Sequence, residues 1–339
     1  MPDLRDDVRD LFGVLTGHDP DGLWSAPGRV ALLGDQTADG GVMLSFAIDR
    51  RTIVAAGGRE DAVLRVASTF SDQAIEIPLA ELDAARGRAG WADYPLGVAW
   101  ALGRSGADLA AVPGVDLVIE SNVPVGAGLA SSAALESAVA LALNDLWRLG
   151  LSRDELARAG QLAENDFVGV PGGAADQSVA LFGRADSAVF FGRGDAEIIP
   201  LGLTDAGLTV LVLDTGASAG SASSPGERHT VDENQRVMDA ARALREDGPA
   251  ALGPLLDASH ASMRDTGMST PELDLAVETA LENGALGARA GGGGAAIALT
   301  PLDAVSRIQV AIDGAFAEHG FSTPEVFAVR PSDGAARDR

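Results

Sequence analysis

The stretch Pro124-Val125-Gly126-Ala127-Gly128-Leu129-Ala130-Ser131-Ser132-Ala133-Ala134-Leu135 brings together the residue types that hold an anion. Glycines let the backbone come close to a ligand because they carry no Cβ. A helix that begins just after such a turn offers free N–H groups and the positive end of its dipole, and phosphate is the anion such ends commonly bind. Ser131 and Ser132 add hydroxyls able to reach a phosphate oxygen or a Mg²⁺ ion. A plain strand-to-helix turn with no ligand would use the same residues. A second chemistry-bearing stretch is Phe167-Val168-Gly169-Val170-Pro171-Gly172-Gly173-Ala174-Ala175-Asp176-Gln177. It is too rich in glycine for a helix or strand interior and less polar than most surface loops, a composition suited to placing a side chain such as Asp176.

The flanking patterns say what must position these residues. Residues 115–120 alternate polar and apolar and predict a strand. The Ala/Leu-rich segment that follows to about 149 predicts a helix. Ser152-Arg153-Asp154-Glu155 matches a capping box and starts a further helix to about Glu164. Toward the N-terminus, a helix and a polar loop over residues 1–20 precede Pro27-Gly28-Arg29, read as a turn into a short apolar strand. Strands at 41–48, 51–57 and 62–69 suggest a meander, and 91–104 a helix. Further strands are expected at 179–183, 187–191 and 207–213. Residues 216–228 look like a flexible stretch in the position of a lid. Helices are expected at 230–245 and 250–264, and from Thr270-Pro271, an N-cap followed by proline, to about 281. The glycine-rich run 287–294 leads to a strand at 295–299, a helix at 301–318 and a strand at 325–329. The mixture predicts an α+β protein of two domains, 1–200 and 201–339, with the boundary near 193–207.

Composition narrows the function classes. The chain has 339 residues, of which 46% are hydrophobic, enough for a large core. It has no cysteine, hence no disulfide and no thiolate chemistry. No apolar run is long enough for a membrane span, and the acidic start, Met1 to Asp10, lacks the core of a signal peptide, so a cytoplasmic location is expected. All 25 basic residues are arginine, and the net charge is −24. Without lysine, P-loop kinases, protein kinases and Schiff-base enzymes are excluded. The negative field disfavours nucleic acid as a partner. Genomic bias or salt adaptation accounts for the acidity more simply than a functional cause.

Three segments together resemble the GHMP small-molecule kinases, and within them the galactokinases. They are Pro27-Gly28-Arg29 with Gly34-Asp35-Gln36-Thr37, the loop Pro124–Leu135, and the glycine run 291–294. Ala163-Glu164-Asn165-Asp166-Phe167-Val168-Gly169 leading to Asp176-Gln177, Ser269-Thr270-Pro271-Glu272-Leu273-Asp274, and Val329-Arg330-Pro331-Ser332-Asp333-Gly334-Ala335 point to galactokinases in particular. The similarity runs through nearly the whole chain in the right order. It implies a two-domain GHMP kinase fold of mixed sheets and helices with the active site between the domains. It also implies transfer of the ATP γ-phosphoryl group to a sugar hydroxyl, in galactokinases the anomeric one, with Mg²⁺.

By the same resemblance, Asp176 is the catalytic carboxylate and Arg29 its arginine partner. Pro124, Gly126, Ala127, Gly128, Leu129, Ser131 and Ser132 form the ATP loop. Ser131 and Glu164, which lies 12 residues before Asp176, serve the metal. Asp35, Gln36, Asp39 and Gly173 face the substrate, a small sugar or polyol.

The departures fall on the sugar side. Galactokinases read G-E-H-T-D-Y-N-G-G where this chain reads Gly34-Asp35-Gln36-Thr37-Ala38-Asp39-Gly40-Gly41, one residue shorter. The sugar-gripping Asp of the family is either lost at Ala38 or displaced to Asp39. The family Tyr that packs on the sugar has no match, because the only tyrosine is Tyr94; Thr230 or His229 falls near its place. Ala130 replaces the first serine of the family triplet. The phosphate machinery is thus largely kept and the sugar-reading shell altered, which leads to the expectation that galactose is used poorly or a relative preferred. A GHMP kinase for another small alcohol and a non-catalytic nucleotide or sugar sensor are the alternatives. A dinucleotide fingerprint at Gly126-Ala127-Gly128 fails, since its third glycine would fall at Ser131.

Overall fold

The computed structural model describes residues 4–34, 41–71, 73–192, 195–217 and 227–338. Helix α1 (Leu4–Thr16) leads into two long antiparallel strands, β1 (Gly22–Leu33) and β2 (Met43–Gly58). Then come β3 (Val63–Ser68), β4 (Ile75–Pro78), the short α2 (Leu82–Ala85), α3 (Asp93–Arg104) and β5 (Val115–Ser121). The middle of the chain holds α4 (Ser131–Leu146), α5 (Arg153–Leu162), a π-helical segment (Ala163–Val168), α6 (Ala175–Phe182), β6 (Ser187–Gly192) and β7 (Asp195–Pro200). Beyond residue 200 are β8 (Leu208–Asp214), α7 (Glu227–Glu246), α8 (Gly253–Asp265), α9 (Pro271–Glu282), β9 (Gly287–Ala290), β10 (Ala295–Pro301), α10 (Val305–His319), β11 (Glu325–Val329) and β12 (Ala336–Asp338).

These strands form two sheets. The first runs β12-β1-β2-β5-β3-β4, with β6 on the far end of β2 and β7 beside β6; among the described residues its only parallel pair is β3 with β5. The second is the antiparallel β11-β8-β10-β9. Side chains alternate across each strand, so each sheet has two apolar faces to cover. Leu211 and Leu213 of β8 pack with α9 and α10, while Val210 and Val212 turn toward the first sheet. There they meet Val30, Leu32, Leu44 and Phe46 of β1 and β2 and Val237 of α7. The first sheet is covered by α3, α4 and α5 on one face and by Val8 and Phe12 of α1 on the other. The apolar cluster between the two sheets also takes in Ala127, Leu129 and Ala134. The glycine loop is therefore rooted at the contact of the two sheets.

Several expectations are corrected. The 41–48 and 51–57 strands are one strand, β2, and no meander forms, because β3 pairs with β4 and β5 rather than with β2. Residues 179–183 lie at the end of helix α6, not in a strand. A short apolar run fits either state, and the turn before it starts a helix here. Pro27-Gly28-Arg29 lies inside β1, at a register shift against β2, rather than in a turn. The first part of the 287–294 run is a strand, β9, whose pairing comes from β10. The helix at 301–318 begins only at Val305. Most of the expected lid, residues 218–226, lies outside the described residues.

Candidate active site

Arg29 sits where the pairing of β1 with β2 slips: Pro27 pairs with Arg51 and Arg29 with Ala47, which leaves two extra residues on β2. Gly28 lets β1 pass close to the glycine loop: a Cβ there would stand 2.7 Å from the Leu129 carbonyl oxygen. The Arg29 N–H donates to that carbonyl at 2.9 Å. Its guanidinium then donates from Nε to Oδ1 of Asp176 at 2.7 Å and from Nη2 to Oδ2 at 2.9 Å. The remaining nitrogen, Nη1, donates to the Gly128 carbonyl at 2.5 Å. Both side chains are largely buried, which strengthens a two-pronged, charge-assisted pair. Asp176 lies in the first turn of α6, where the helix dipole favours a negative charge.

The glycine loop enters α4 through Ala130, whose φ of 54° and ψ of 47° place a non-glycine residue in the left-handed region. Such strain is held only where the surroundings over-determine it, and it clusters at ligand clamps. No side chain caps the first turn of α4, so its opening amides face outward for an anion. Within the loop, Ala127 and Leu129 are buried in the inter-sheet core, so they can serve a ligand only through their backbone. Gly126 and the half-buried Pro124, Ser131 and Ser132 line the accessible side.

The second glycine run closes on the first. A Cβ on Gly128 would stand 1.4 Å from the Gly292 carbonyl oxygen, and Gly128 has a φ of +69°. A Cβ on Gly293 would come within 2.6 Å of Gly126 O and Gly128 N. Glycine at 128 is thus required by backbone-to-backbone packing of the two runs, not by open space along a phosphate path.

Glu164 sits on the π-helical segment that continues α5, and π-bulges frequently mark functional sites. Its carboxylate takes Ser132 Oγ on Oε1 at 2.9 Å and Gln177 Nε2 on Oε2 at 3.0 Å. Burial pushes its pKa up, against the pull of those two hydrogen bonds. Ser132 rather than Ser131 makes the serine contact to Glu164. Between Glu164 and Asp176 the chain is pinned by Asn165, whose side chain accepts from Gly172 N at 2.7 Å and donates to Gly172 O at 3.0 Å. Gln161 adds a bond to the same carbonyl. Gly173 follows directly, with nothing within 4 Å of where a Cβ would be.

The sequence-expected residues Arg29, Asp176, Glu164, Ser131, Ser132, Gly126 and Gly128 are therefore brought to one region, with Gly173 on the same short approach to α6. Asp35, Gln36 and Asp39 lie outside the described residues. His229 is buried, with Nδ1 2.8 Å from Ser262 Oγ. Two residues of this region carried no role in the sequence reading. Gln177 follows Asp176 directly, and Glu136 is the one charged residue in the first three turns of an Ala/Leu helix, a signal that was readable. Among the described residues no group of three or more His, Cys, Asp or Glu side chains is placed to hold a metal. The set on offer to a cation is one carboxylate beside serine hydroxyls. That suits Mg²⁺, which keeps waters and takes phosphate oxygens rather than a full protein cage.

A two-sheet α+β fold with an uncapped glycine loop and an Arg-held carboxylate beside it defines a small-molecule kinase of the GHMP type. Family comparison agrees: residues 93–184 match the GHMP kinases N terminal domain, 240–318 the GHMP kinases C terminal model, and 10–57 the galactokinase galactose-binding signature. The galactokinase of Streptomyces coelicolor is 37% identical over 97% of this chain and 97% of its own. That of Mycobacterium tuberculosis is 35% identical over 93% of this chain and 99% of its own. The crystal structure of Lactococcus lactis galactokinase complexed with galactose superposes with a TM-score of 0.91 at 27% identity, covering 99% of this chain and 100% of that one. The chain belongs to the galactokinase family of GHMP kinases, ATP-dependent phosphotransferases acting on sugar hydroxyls. Among the described residues, no helix is long and apolar enough to cross a membrane.

Proposed function

We propose that this enzyme phosphorylates galactose at its anomeric hydroxyl, with Asp176 and Arg29 at the reacting centre. The observation that carries this reading is the Arg29 guanidinium, which grips both oxygens of Asp176 and the carbonyl of Gly128 at once. It ties the carboxylate that would meet the sugar to the loop that would hold the phosphates. Phosphoryl transfer asks mainly for such positioning and charge neutralisation. The sugar oxygen forms a bond to the γ-phosphorus, the bond from that phosphorus to the β,γ-bridging oxygen breaks, and ADP leaves. Asp176 orients the attacking hydroxyl and accepts its proton. Arg29 orients the Asp176 carboxylate through both of its oxygens and stabilises charge on the transferred group.

The backbone of 124–132 cradles the nucleotide phosphates. Glu164, with Ser131 and Ser132, would hold Mg²⁺, which when bound neutralises phosphate charge. Asp35, Gln36, Asp39 and Gly173 read the sugar. Residues 1–200 and 201–339 act as the two domains between which the substrates lie, although β12 returns from the second to pair with β1. A cysteine-free, ATP-consuming enzyme fits the cytoplasm, with neither membrane nor nucleic acid as a partner.

An ATP-consumption screen over free sugars and small polyols tests the reading, with ³¹P NMR of the product. Galactose 1-phosphate is the expected product. Turnover only with another alcohol would reassign the acceptor, and ligand binding without turnover would make the chain a sensor.

A further inference from the structure

Gln177 follows Asp176 on α6 and is buried. Its amide nitrogen donates to two carboxylates, Glu164 Oε2 at 3.0 Å and Glu136 Oε2 at 2.9 Å. The other oxygen of Glu164 takes Ser132 Oγ at 2.9 Å. Ser132 and Glu136 are four residues apart on α4, so they lie one above the other on one helical face. The bonds therefore close a ring from Ser132 to Glu164 to Gln177 to Glu136 and back along α4. That ring joins the helix opening from the nucleotide loop, the π segment carrying Glu164, and the helix turn carrying Asp176.

Filling space does not explain this arrangement. Glu136 is fully buried, and neither its Oε1 nor the Oε1 of Gln177 has a hydrogen-bond partner. Orphaned buried polar atoms cost stability, and apolar side chains of the same size would avoid that cost. The stem of Gln177 is also confined from α5: a Cβ on Gly160 would stand 2.8 Å from its Cγ. The amide is thus fixed from behind and has both of its hydrogens committed.

We infer that Gln177 is a positioning residue for phosphoryl transfer: braced on Glu136, its amide sets the orientation of the Glu164 carboxylate and keeps it in register with Asp176. This rests on the assignment of Glu164 to the metal–nucleotide complex. Partners of this kind, one step removed from the metal, are worth about 10- to 100-fold in metal affinity or activity.

The test is calorimetry of ATP binding to the full chain with and without Mg²⁺, alongside thermal melts and steady-state kinetics. Gln177→Met removes both donors at nearly constant volume. It should lower Tm, leave metal-free ATP affinity unchanged, and cut the gain in ATP affinity on adding Mg²⁺ and kcat by about 10-fold each. In the double variant Glu136→Met/Gln177→Met both partners of the buried bond are apolar, so Tm should recover. The Mg²⁺ gain and kcat should stay low, because Glu164 is still unheld. If they recover together with Tm, Gln177 is a packing residue and the inference is overturned. If Gln177→Met does not fold, the double variant decides alone. Glu164→Gln is the reference. If it keeps the full Mg²⁺ gain, the assignment of Glu164 fails and this inference with it. If it loses the gain while the double variant keeps it, only the role of Gln177 falls.

Discussion

Arg29 and Asp176 stand 147 residues apart in sequence and meet through two parallel hydrogen bonds of 2.7 and 2.9 Å. The third arm of the same guanidinium holds the Gly128 carbonyl at 2.5 Å. One side chain thus fixes both the candidate base and the candidate phosphate loop. A change at either residue of the pair should separate these two duties.

Asp176→Asn keeps the shape of the side chain but loses its charge and its capacity to take a proton. It is expected to fold and to bind ATP as before, with kcat lowered on the order of 10²-fold or more. Full turnover would show that the base lies elsewhere.

Arg29→Lys retains the charge but not the fork. An ammonium cannot hold both oxygens of Asp176 and the Gly128 carbonyl together. The expected result differs from that of Asp176→Asn: kcat falls and the KM for ATP rises, because the loop loses its tie. Initial rates at varied ATP distinguish the two patterns.

Gly128 and Gly126 form a matched comparison. Both have positive φ, +69° and +86°, so alanine at either place bears a left-handed penalty of about 1–2 kcal/mol. Only at Gly128 would the new Cβ strike a backbone atom, the carbonyl oxygen of Gly292. Gly128→Ala should lower Tm by several degrees more than Gly126→Ala and weaken ATP binding by separating the two glycine runs. Equal melts for the two variants would mean that the runs are not packed as described.

Much of this site was legible in the sequence because its chemistry sits in contiguous motifs. Arg29, Glu164 and Asp176 were each marked by neighbours, and the structure brings them together. The loop from Pro124 to Ser132 showed itself through glycine between a strand pattern and a helix pattern. What stayed hidden depends on distant partners. Nothing near Gly128 announces that Gly292 will lie against it. The three residues of β12 pair with β1 across more than 300 positions, and no local pattern marks so short a strand. Residues 179–182 are helical because the turn after Gly173 launches a helix, although Val179-Ala180-Leu181 alone fits a buried strand. Pro27-Gly28 read as a turn because that dipeptide usually is one; here glycine admits the Leu129 carbonyl where the pairing of β1 with β2 slips.

Glu136 makes stability depend on pH. Burial, and then the negative charge of Glu164, hold its pKa well above the ordinary 4.5. The native state keeps a proton that the unfolded chain has already released, so this carboxyl favours folding less and less as pH rises from about 4.5 toward the raised value. Glu136→Gln removes the titration and keeps an oxygen for the Gln177 amide. The Tm of the variant relative to the parent should therefore climb between about pH 5 and pH 8, above the ordinary carboxylate range. A constant difference across that interval would show that Glu136 titrates normally.

The acceptor is the sharpest remaining question for kinetics. The segment after Gly34 is one residue shorter than the galactokinase pattern it resembles, yet the galactose-binding signature matches through it, over residues 10–57. Asp39 is the carboxylate left within that segment once Asp35 is aligned with the family Glu. If Asp39 replaces the displaced sugar-gripping Asp, it accepts charge-assisted hydrogen bonds from sugar hydroxyls, each worth about 1.5–3 kcal/mol. Losing one such bond raises the KM for galactose by roughly 10- to 150-fold. The KM for ATP should not move, because the loop at 124–132 and the Arg29–Asp176 pair are untouched. Asp39→Ala assayed at saturating ATP over a galactose series is the measurement. An unchanged galactose KM would mean that the shorter segment no longer carries the grip and that the sugar is read by other groups, such as the backbone at Gly173.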